Sequence, residues 1–465
     1  MKEELPLDQP ANPSRRKILK GLAATTAGAA VLSGCGSSSD ISSFSSVSMP
    51  VAKSLPAPAK SGIDHIVVVM MENRSFDHYL GWLPGADGVQ EGRRFIDTAG
   101  KTQMSHHLTD FQNCASADPE HSYEGGRKEF NNGAMDGFLQ PSVPGDTFPI
   151  GYYVKNDLPF FGPAAENWTV CDRYFCSILA ETYPNRLYMH SGQTDRLHNT
   201  TATSTLPTIW DALKAKGLKG NYYFSDIPFT ALWANKYLDI SQPFAAFLAD
   251  AASGQLPQVS YIDPRFLGEG NGVSNDDHPL ADVRNGQAFL NQVYDAIRQS
   301  PQYENTLLII NYDEWGGFAD HVAPDFAPIA PAERTLGNDG RLGFRVPCML
   351  VGPRVKRGHV EHLALDHTSI LNLMLWRWDL QPFYPRAMTS NNMALALDFT
   401  NPPNTTAAPV YTVPAGPFGT ECDLANHLPA GTGIGQLDAV NKSRAAHILD
   451  LQMLKTKAQR SGFPI

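Results

Sequence analysis

The stretch IDHIVVVMM followed by ENRSFDH, residues 63–78, decides how this chain is read. Its first part is a continuous apolar run rich in Val and Ile. It is too short for an isolated helix and has the length of a strand covered on both faces. The run stops abruptly at Glu72 and Asn73. Both residues therefore sit where a strand gives way to a turn or helix, which is where open α/β sheets hold their ligands. TLLIINYDEWGG at 306–317 repeats the arrangement, a buried strand ending in Asp313 and Glu314 before a glycine turn. Two buried strands thus bring two polar pairs toward what the pattern predicts to be one sheet edge.

Around these strands the chain alternates. TIWDALKAKG at 208–217 predicts a helix capped by Thr208, and GNYYFSD at 220–226 predicts the strand after it. GQAFLNQVYDAIRQSP at 286–301 places Phe289, Val293 and Ile297 on one helical face. RVPCMLVGP at 345–353 is a further strand, and DHTSILNLMLWRW at 366–378 opens a helix near Asp366 or Thr368. The fold class is α/β, a mostly parallel sheet sandwiched by helices. Residues 88–163 and 400–435 are rich in Gly, Pro and Asn and read as insertions or lids. No internal repeat is visible.

Composition sets the outer limits. The 465 residues include 37 Lys plus Arg against 47 Asp plus Glu, a formal charge of −10, which excludes a nucleic-acid binder. With 42% hydrophobic and 18% charged residues, most of the chain is globular. It carries no apolar window long enough for a spanning helix. Beyond Cys35 there are five cysteines and no CxxC pair. Cys171 and Cys176 read equally as a local pair or as small buried residues.

The N-terminus is an address. SRRKILK at 14–20, then a modestly apolar stretch, resembles a twin-arginine export signal, and LSGC at 32–35 resembles a lipobox in which Cys35 is acylated. Residues 1–34 are read as signal peptide, 35–60 as a Ser/Pro-rich tether and 61–465 as the catalytic domain. Cleavage removes five basic and three acidic residues and leaves a mature chain at −12, held at a membrane by acyl chains and located in the periplasm or on the outer membrane.

Glu72, Asn73, Asp313 and Glu314 are the most economical supply of oxygen ligands for a divalent cation, although either pair alone would equally cap the next helix. TYPNRLYMHSG at 182–192 reads as a turn into a helix. Thr182 at its start is placed as a nucleophile near a metal, or simply as the helix cap, and Arg186 one turn on could fork phosphoryl oxygens. Acid-flanked histidines recur after strand breaks: His121 in EHSYEGG ahead of Asp136, His278 in NDDHP, Asp320 with His321, and His367. Clustered in this way they suggest imidazoles held for an anionic substrate or leaving group. GxSxG, HExxH and EF-hand spacings are absent.

ENRSFDH, TYPNRLY, NDDHP, YDEWGGFADHV and DHTS, in this order, resemble the bacterial and plant phosphoesterase family of phospholipases C and an acid phosphatase, within the alkaline-phosphatase-like superfamily. The resemblance implies a three-layer sandwich with Glu72, Asn73, Asp313 and Glu314 at a metal (zinc, calcium or magnesium) and Thr182 forming a phosphothreonine intermediate. It implies phosphate and leaving-group contacts from His121, Asp136 and His278, and a second acid–histidine pair at Asp320 and His321. Where the family usually has His after YDE this chain has Trp315, and Glu181 stands where a small residue usually precedes the nucleophile. The expected activity is phospholipase C cleavage of glycerophospholipid head groups. The alternatives are a periplasmic acid phosphatase acting on small phosphomonoesters and a lipoprotein that binds a phospho-ligand without turnover.

Overall fold

A computed structural model describes residues 55–422 and 434–465. The signal peptide, Cys35 and the tether up to residue 54 lie outside the described residues, as do residues 423–433. Leu55 already packs against the core, and a single turn at Pro58–Lys60 leads into the first strand.

Eight strands form the central sheet: β1 (His65–Met71), β2 (Thr169–Cys171), β3 (Gly220–Phe224), β4 (Ser241–Pro243), β5 (Val259–Asp263), β6 (Thr306–Tyr312), β7 (Cys348–Val351) and β8 (His359–Glu361). Their order is β8-β2-β7-β6-β1-β5-β3-β4. Every pairing is parallel except the two made by β7, which runs antiparallel to β6 and β2. The apolar runs have the predicted cause: β5, β6 and β7 are buried at every position and β1 at all but its first. Residues of alternate parity are buried alike, so both faces of the sheet are covered. Each such Val, Ile or Leu contributes about 1.5–3 kcal/mol relative to exposure.

The helices used below are α1 (Phe76–Leu80), α2 (Tyr123–Phe130), α3 (Thr182–Ser191), α4 (Ile209–Ala215), α5 (Val283–Arg298), α6 (His367–Trp378) and α7 (Ile434–Arg460). Thr208 and Asp211 cap α4 reciprocally, Phe289, Val293 and Ile297 are the buried face of α5, and Asp366 caps α6 through the Ser369 amide. No helix among the described residues is long and apolar enough to cross a membrane.

Cys171 and Cys176 are separate buried thiols, and the Cys176 thiol donates to the Phe344 carbonyl at 3.1 Å. The disulfide instead joins Cys114 to Cys422, 308 residues apart. It ties the loop before α2 to the segment that precedes α7.

Candidate active site

Strand register assembles the site. β1 and β6 pair with Met71 opposite Tyr312, so the residues after them, Glu72 and Asp313, emerge side by side. β5 pairs on the other flank of β1 and ends in Asp263 at the same edge. The turn after Glu314 holds the set together. Gly316 adopts φ +62°, its amide donates to Glu314 Oε2 at 2.6 Å, and a Cβ there would lie 2.6 Å from Asn73 Oδ1. Only glycine lets the backbone come this close to Asn73.

Helix α3 brings the hydroxyl. Thr182 is its first residue, with Glu181 as the N-cap, and Thr182 Oγ1 donates to Glu72 Oε1 at 2.9 Å. The carboxylate of Glu181 turns away, accepting from the Asn199 amide and from His198 Nδ1 at 3.1 Å. Arg186 lies one turn further on and is fully buried. Its Nε donates to Asp313 Oδ2 and its Nη1 to Asp263 Oδ1, both at 3.0 Å, and its Nη2 stands 3.7 Å from Glu72 Oε2. The guanidinium read from sequence as a fork for phosphate is engaged by carboxylates. Phe229 and Phe266 stack against it.

Two of the expected histidines face this group. His121 Nε2 is 3.8 Å from Glu314 Oε1, and His121 Nδ1 is 2.6 Å from the Pro119 carbonyl oxygen. His278 is buried 5.9 Å from His121, ring centre to ring centre, and its Nε2 has no hydrogen-bond partner. Three further residues complete the cluster and were not singled out in the sequence. Asp118 Oδ1 lies 3.9 Å from His121 Nδ1 and 3.7 Å from His278 Nε2. Glu269 and His447 form a buried pair at 2.8 Å, and the His447 ring stacks on His278. Asp118, three residues ahead of His121, carried a readable signal. Glu269 sits in a glycine-rich loop and His447 on a helix far along the chain, and neither is near a strand end or motif.

The remaining residues lie elsewhere. Asp136 is exposed and accepts from Asn131 Nδ2, so it is not brought to the cluster. Asp320 and His321 join Asp77 and Arg345 in a separate network. Arg345 donates to Asp320 Oδ1 and Asp77 Oδ1, and His321 Nδ1 is 2.7 Å from Asp77 Oδ2. These groups satisfy one another and lock α1 against the loop after β6. His367 contacts the Tyr312 carbonyl under the sheet edge, and burial pulls its pKa down to about 4. A cavity of about 1010 Å³ lies at the opposite end of the strands, beside His65 and Gln258, away from all of these groups.

The electrostatics of this edge would suit a bound cation. Burial, with Glu72 and Glu314 adding to it against the pull of Arg186, holds the Asp313 carboxyl well above its ordinary range. Burial also lifts Glu314 to about 7 despite His121, and Asp263 to about 6 despite Arg186. Burial opposes the charged form of His121, yet Glu314 and Asp118 raise it well above an ordinary imidazole. Glu72 Oε2, Asn73 Oδ1 and Glu314 Oε1 are buried acceptors with no hydrogen-bond partner. Three carboxylates and one amide oxygen match the donor set of a divalent ion, and such an ion would relieve both the repulsion and the missing partners.

Residues 63–381 match the model of the Phosphoesterase family. Non-specific phospholipase C6 of Arabidopsis thaliana is 35% identical over 354 residues, covering 67% of each chain. Phospholipase C B of Mycobacterium tuberculosis is 30% identical over 473 residues, covering 84% of this chain and 86% of that one. Among solved structures, an alkaline phosphatase superfamily protein from Vibrio parahaemolyticus aligns over 76% of this chain and 74% of that one, at 9% identity and a TM-score of 0.36. The chain belongs to the Phosphoesterase family and is a hydrolase acting on phosphate esters.

Proposed function

We propose that this chain is a phospholipase C that cleaves glycerophospholipid between the glycerol oxygen and phosphorus, through a phosphothreonine intermediate on Thr182. The observation that carries the reading is the Thr182 hydroxyl at the start of α3, hydrogen-bonded to Glu72 beside unpartnered acceptor oxygens. Bound by Glu72, Asn73, Asp313 and Glu314, a divalent ion would supply Lewis acidity to the nucleophile and to the phosphoryl group. Zinc, magnesium and calcium are the candidates, and elemental analysis of the exported protein distinguishes them.

The chain's own groups do the rest. Thr182 Oγ1 points its proton at Glu72 Oε1. As the Oγ–phosphorus bond forms, the proton passes to that carboxylate and the bond from phosphorus to the glycerol oxygen breaks. His121 or His278 gives the departing oxygen its proton, and the same imidazole then takes one from water. That water attacks phosphorus as the Oγ–phosphorus bond breaks, Glu72 returns its proton to Thr182 Oγ1, and the phosphorylated head group leaves with Thr182 restored. The first turn of α3 favours the negative phosphoryl oxygens. The signal read at residues 1–35 supports export by the twin-arginine route and tethering through Cys35 to a periplasm-facing membrane, close to lipid substrate.

The test compares diacylglycerol release from phosphatidylcholine with phosphate release from an aryl phosphate, for wild type and Thr182→Ala. The expected result is diacylglycerol with wild type, at least a ~1000-fold loss in Thr182→Ala, and phosphorylated Thr182 in acid-quenched digests. Phosphate release alone would replace the lipase reading by the phosphomonoesterase one. Phosphoester binding with no hydrolysis in the presence of any of the three metals would leave a binding lipoprotein.

A further inference from the structure

Helix α7 lies beyond residue 381, where the match to the family model ends, yet it is docked on three segments of the active site. Arg444 Nη2 donates to the Cys114 carbonyl at 2.6 Å and Arg444 Nε to that of Ser116 at 3.1 Å. Ser443 Oγ accepts from the Asp118 amide at 3.2 Å. The carbonyl of Asp450 accepts from the hydroxyl of Tyr183, the residue after Thr182, at 2.9 Å. From the centre of this docked face His447 enters the site, 6% exposed. A carboxylate oxygen of Glu72 and one nitrogen each of His278 and His447 lie within 4.8 Å of one another.

The contacts of His447 are specific. Its ring lies parallel to that of His278, centres 3.5 Å apart at 11°. Glu269 divides its carboxylate between the two imidazoles, with Oε1 at 2.8 Å from His447 Nε2 and Oε2 at 3.5 Å from His278 Nδ1. His278 has otherwise only a 3.2 Å contact from Nδ1 to the Pro279 carbonyl, while its unpartnered Nε2 faces Asp118. With its Nε2 unpartnered, His278 depends on the Glu269 carboxylate and the His447 stack for the contacts that fix its ring plane. Burying an imidazole–carboxylate pair is a poor route to stability compared with apolar packing of equal volume. That argues for a role at the site beyond holding the helix down.

We propose that His447 is a positioning residue of this hydrolase, which with Glu269 fixes the His278 imidazole for the phosphoryl group. This rests on the site described above, with Thr182 as its nucleophile. Removing the partner that orients an active imidazole or ligand typically costs about 10- to 100-fold.

The experiment uses the full chain, with phosphatidylcholine in mixed micelles and p-nitrophenylphosphorylcholine as a soluble diester. His447→Gln is expected to lower kcat about 10- to 100-fold on both, with KM changed by less than about threefold and the urea midpoint kept near that of Leu449→Ser, an exposed control on the same helix. In His447→Ala, added imidazole restores part of kcat. Glu269→Gln shows a similar loss, and the double variant is little worse than either single one, as expected of residues acting as a unit. Where His447→Gln does not fold, imidazole rescue of His447→Ala and the Glu269→Gln kinetics decide. Wild-type kcat in His447→Gln, an equal loss in Leu449→Ser, or no rescue by imidazole overturns the proposal. A wild-type protein inactive on both diesters, or Thr182→Ala as active as wild type, overturns the site itself.

Discussion

Gly316→Ala tests whether the turn after β6 builds the ligand set. In the native chain Gly316 has φ +62°, and an added Cβ would lie 2.1 Å from the Asn73 carbonyl oxygen and 2.6 Å from Asn73 Oδ1. Two costs follow. A left-handed backbone with a side chain costs about 1–2 kcal/mol. The clash is with main chain, which cannot rotate aside, so the turn must move on the order of 1 Å, adding about 1–3 kcal/mol as overpacking does elsewhere. Gly100→Ala separates the two costs, because Gly100 has φ +77° and nothing within 4 Å of its Cβ position. Urea unfolding in chelator should show Gly100→Ala down by the conformational cost alone and Gly316→Ala lower by the clash. Calorimetric titration with zinc, magnesium and calcium should show affinity for the preferred ion reduced about 10- to 100-fold in Gly316→Ala only. If Gly316→Ala unfolds at the Gly100→Ala midpoint and binds metal as wild type does, this turn does not set the position of Asn73, and the proposed ligand set is wrong.

The Asp77–His321 pair should impose a pH window on stability. Burial opposes the charge on His321, but its hydrogen bond and attraction to Asp77 win and raise its pKa above 6.5. Burial likewise opposes ionised Asp77, yet His321 and Arg345 lower its pKa below 3.8. The His321 contribution is complete below pH 6.5 and is lost as pH rises through its higher folded value, while the Asp77 contribution is lost as pH falls below 3.8. Urea midpoints from pH 5 to 9 should therefore decline on the alkaline side, and His321→Asn should flatten that decline; equal slopes would refute the assignment. The Cys114–Cys422 disulfide closes a loop of 308 residues, for which chain entropy alone corresponds to about 6 kcal/mol of stabilisation. Reductant, or the paired Cys→Ser substitutions, should lower the urea midpoint, and no change in either would show that the bridge does not constrain the unfolded chain.

The parts legible in sequence were those fixed by local pattern. Runs such as 63–71 and 306–312 can be buried on both faces only in a covered sheet, and their abrupt polar ends announce the edge where Glu72 and Asp313 meet. The reversed direction of β7 was not legible, because an apolar run carries no sign of its direction. Arg186 shows a different limit. Its spacing from Thr182 suggested phosphate, but three carboxylates from three strands converge on it, and that count depends on register. His447 depends on a helix docking across more than 300 residues of chain, for which no local signal exists. Trp315 looked like a lost functional group, yet its Nε1 donates to Glu129 Oε2 at 2.7 Å inside α2 packing, so its indole serves the wall behind the site.

The charge of the whole molecule bears on the mechanism. A chain at −10 repels a phosphate ester, and the sheet edge proposed to receive it carries four carboxyl groups, from Glu72, Asp263, Asp313 and Glu314. Among the described residues Arg186 is the one permanent cation in contact with that set, and it is already surrounded by three of the four. His121, held above the ordinary imidazole range, adds charge on the far side beside Glu314. With all four ionised, one guanidinium and one imidazolium would leave the edge short of positive charge, and burial with mutual repulsion accordingly holds Asp263, Asp313 and Glu314 above their ordinary range. A divalent ion held, as proposed, by Glu72, Asn73, Asp313 and Glu314 would supply that difference beside Thr182. On that proposal attraction for the substrate is local to Thr182, while the net acidic charge of the chain repels it elsewhere.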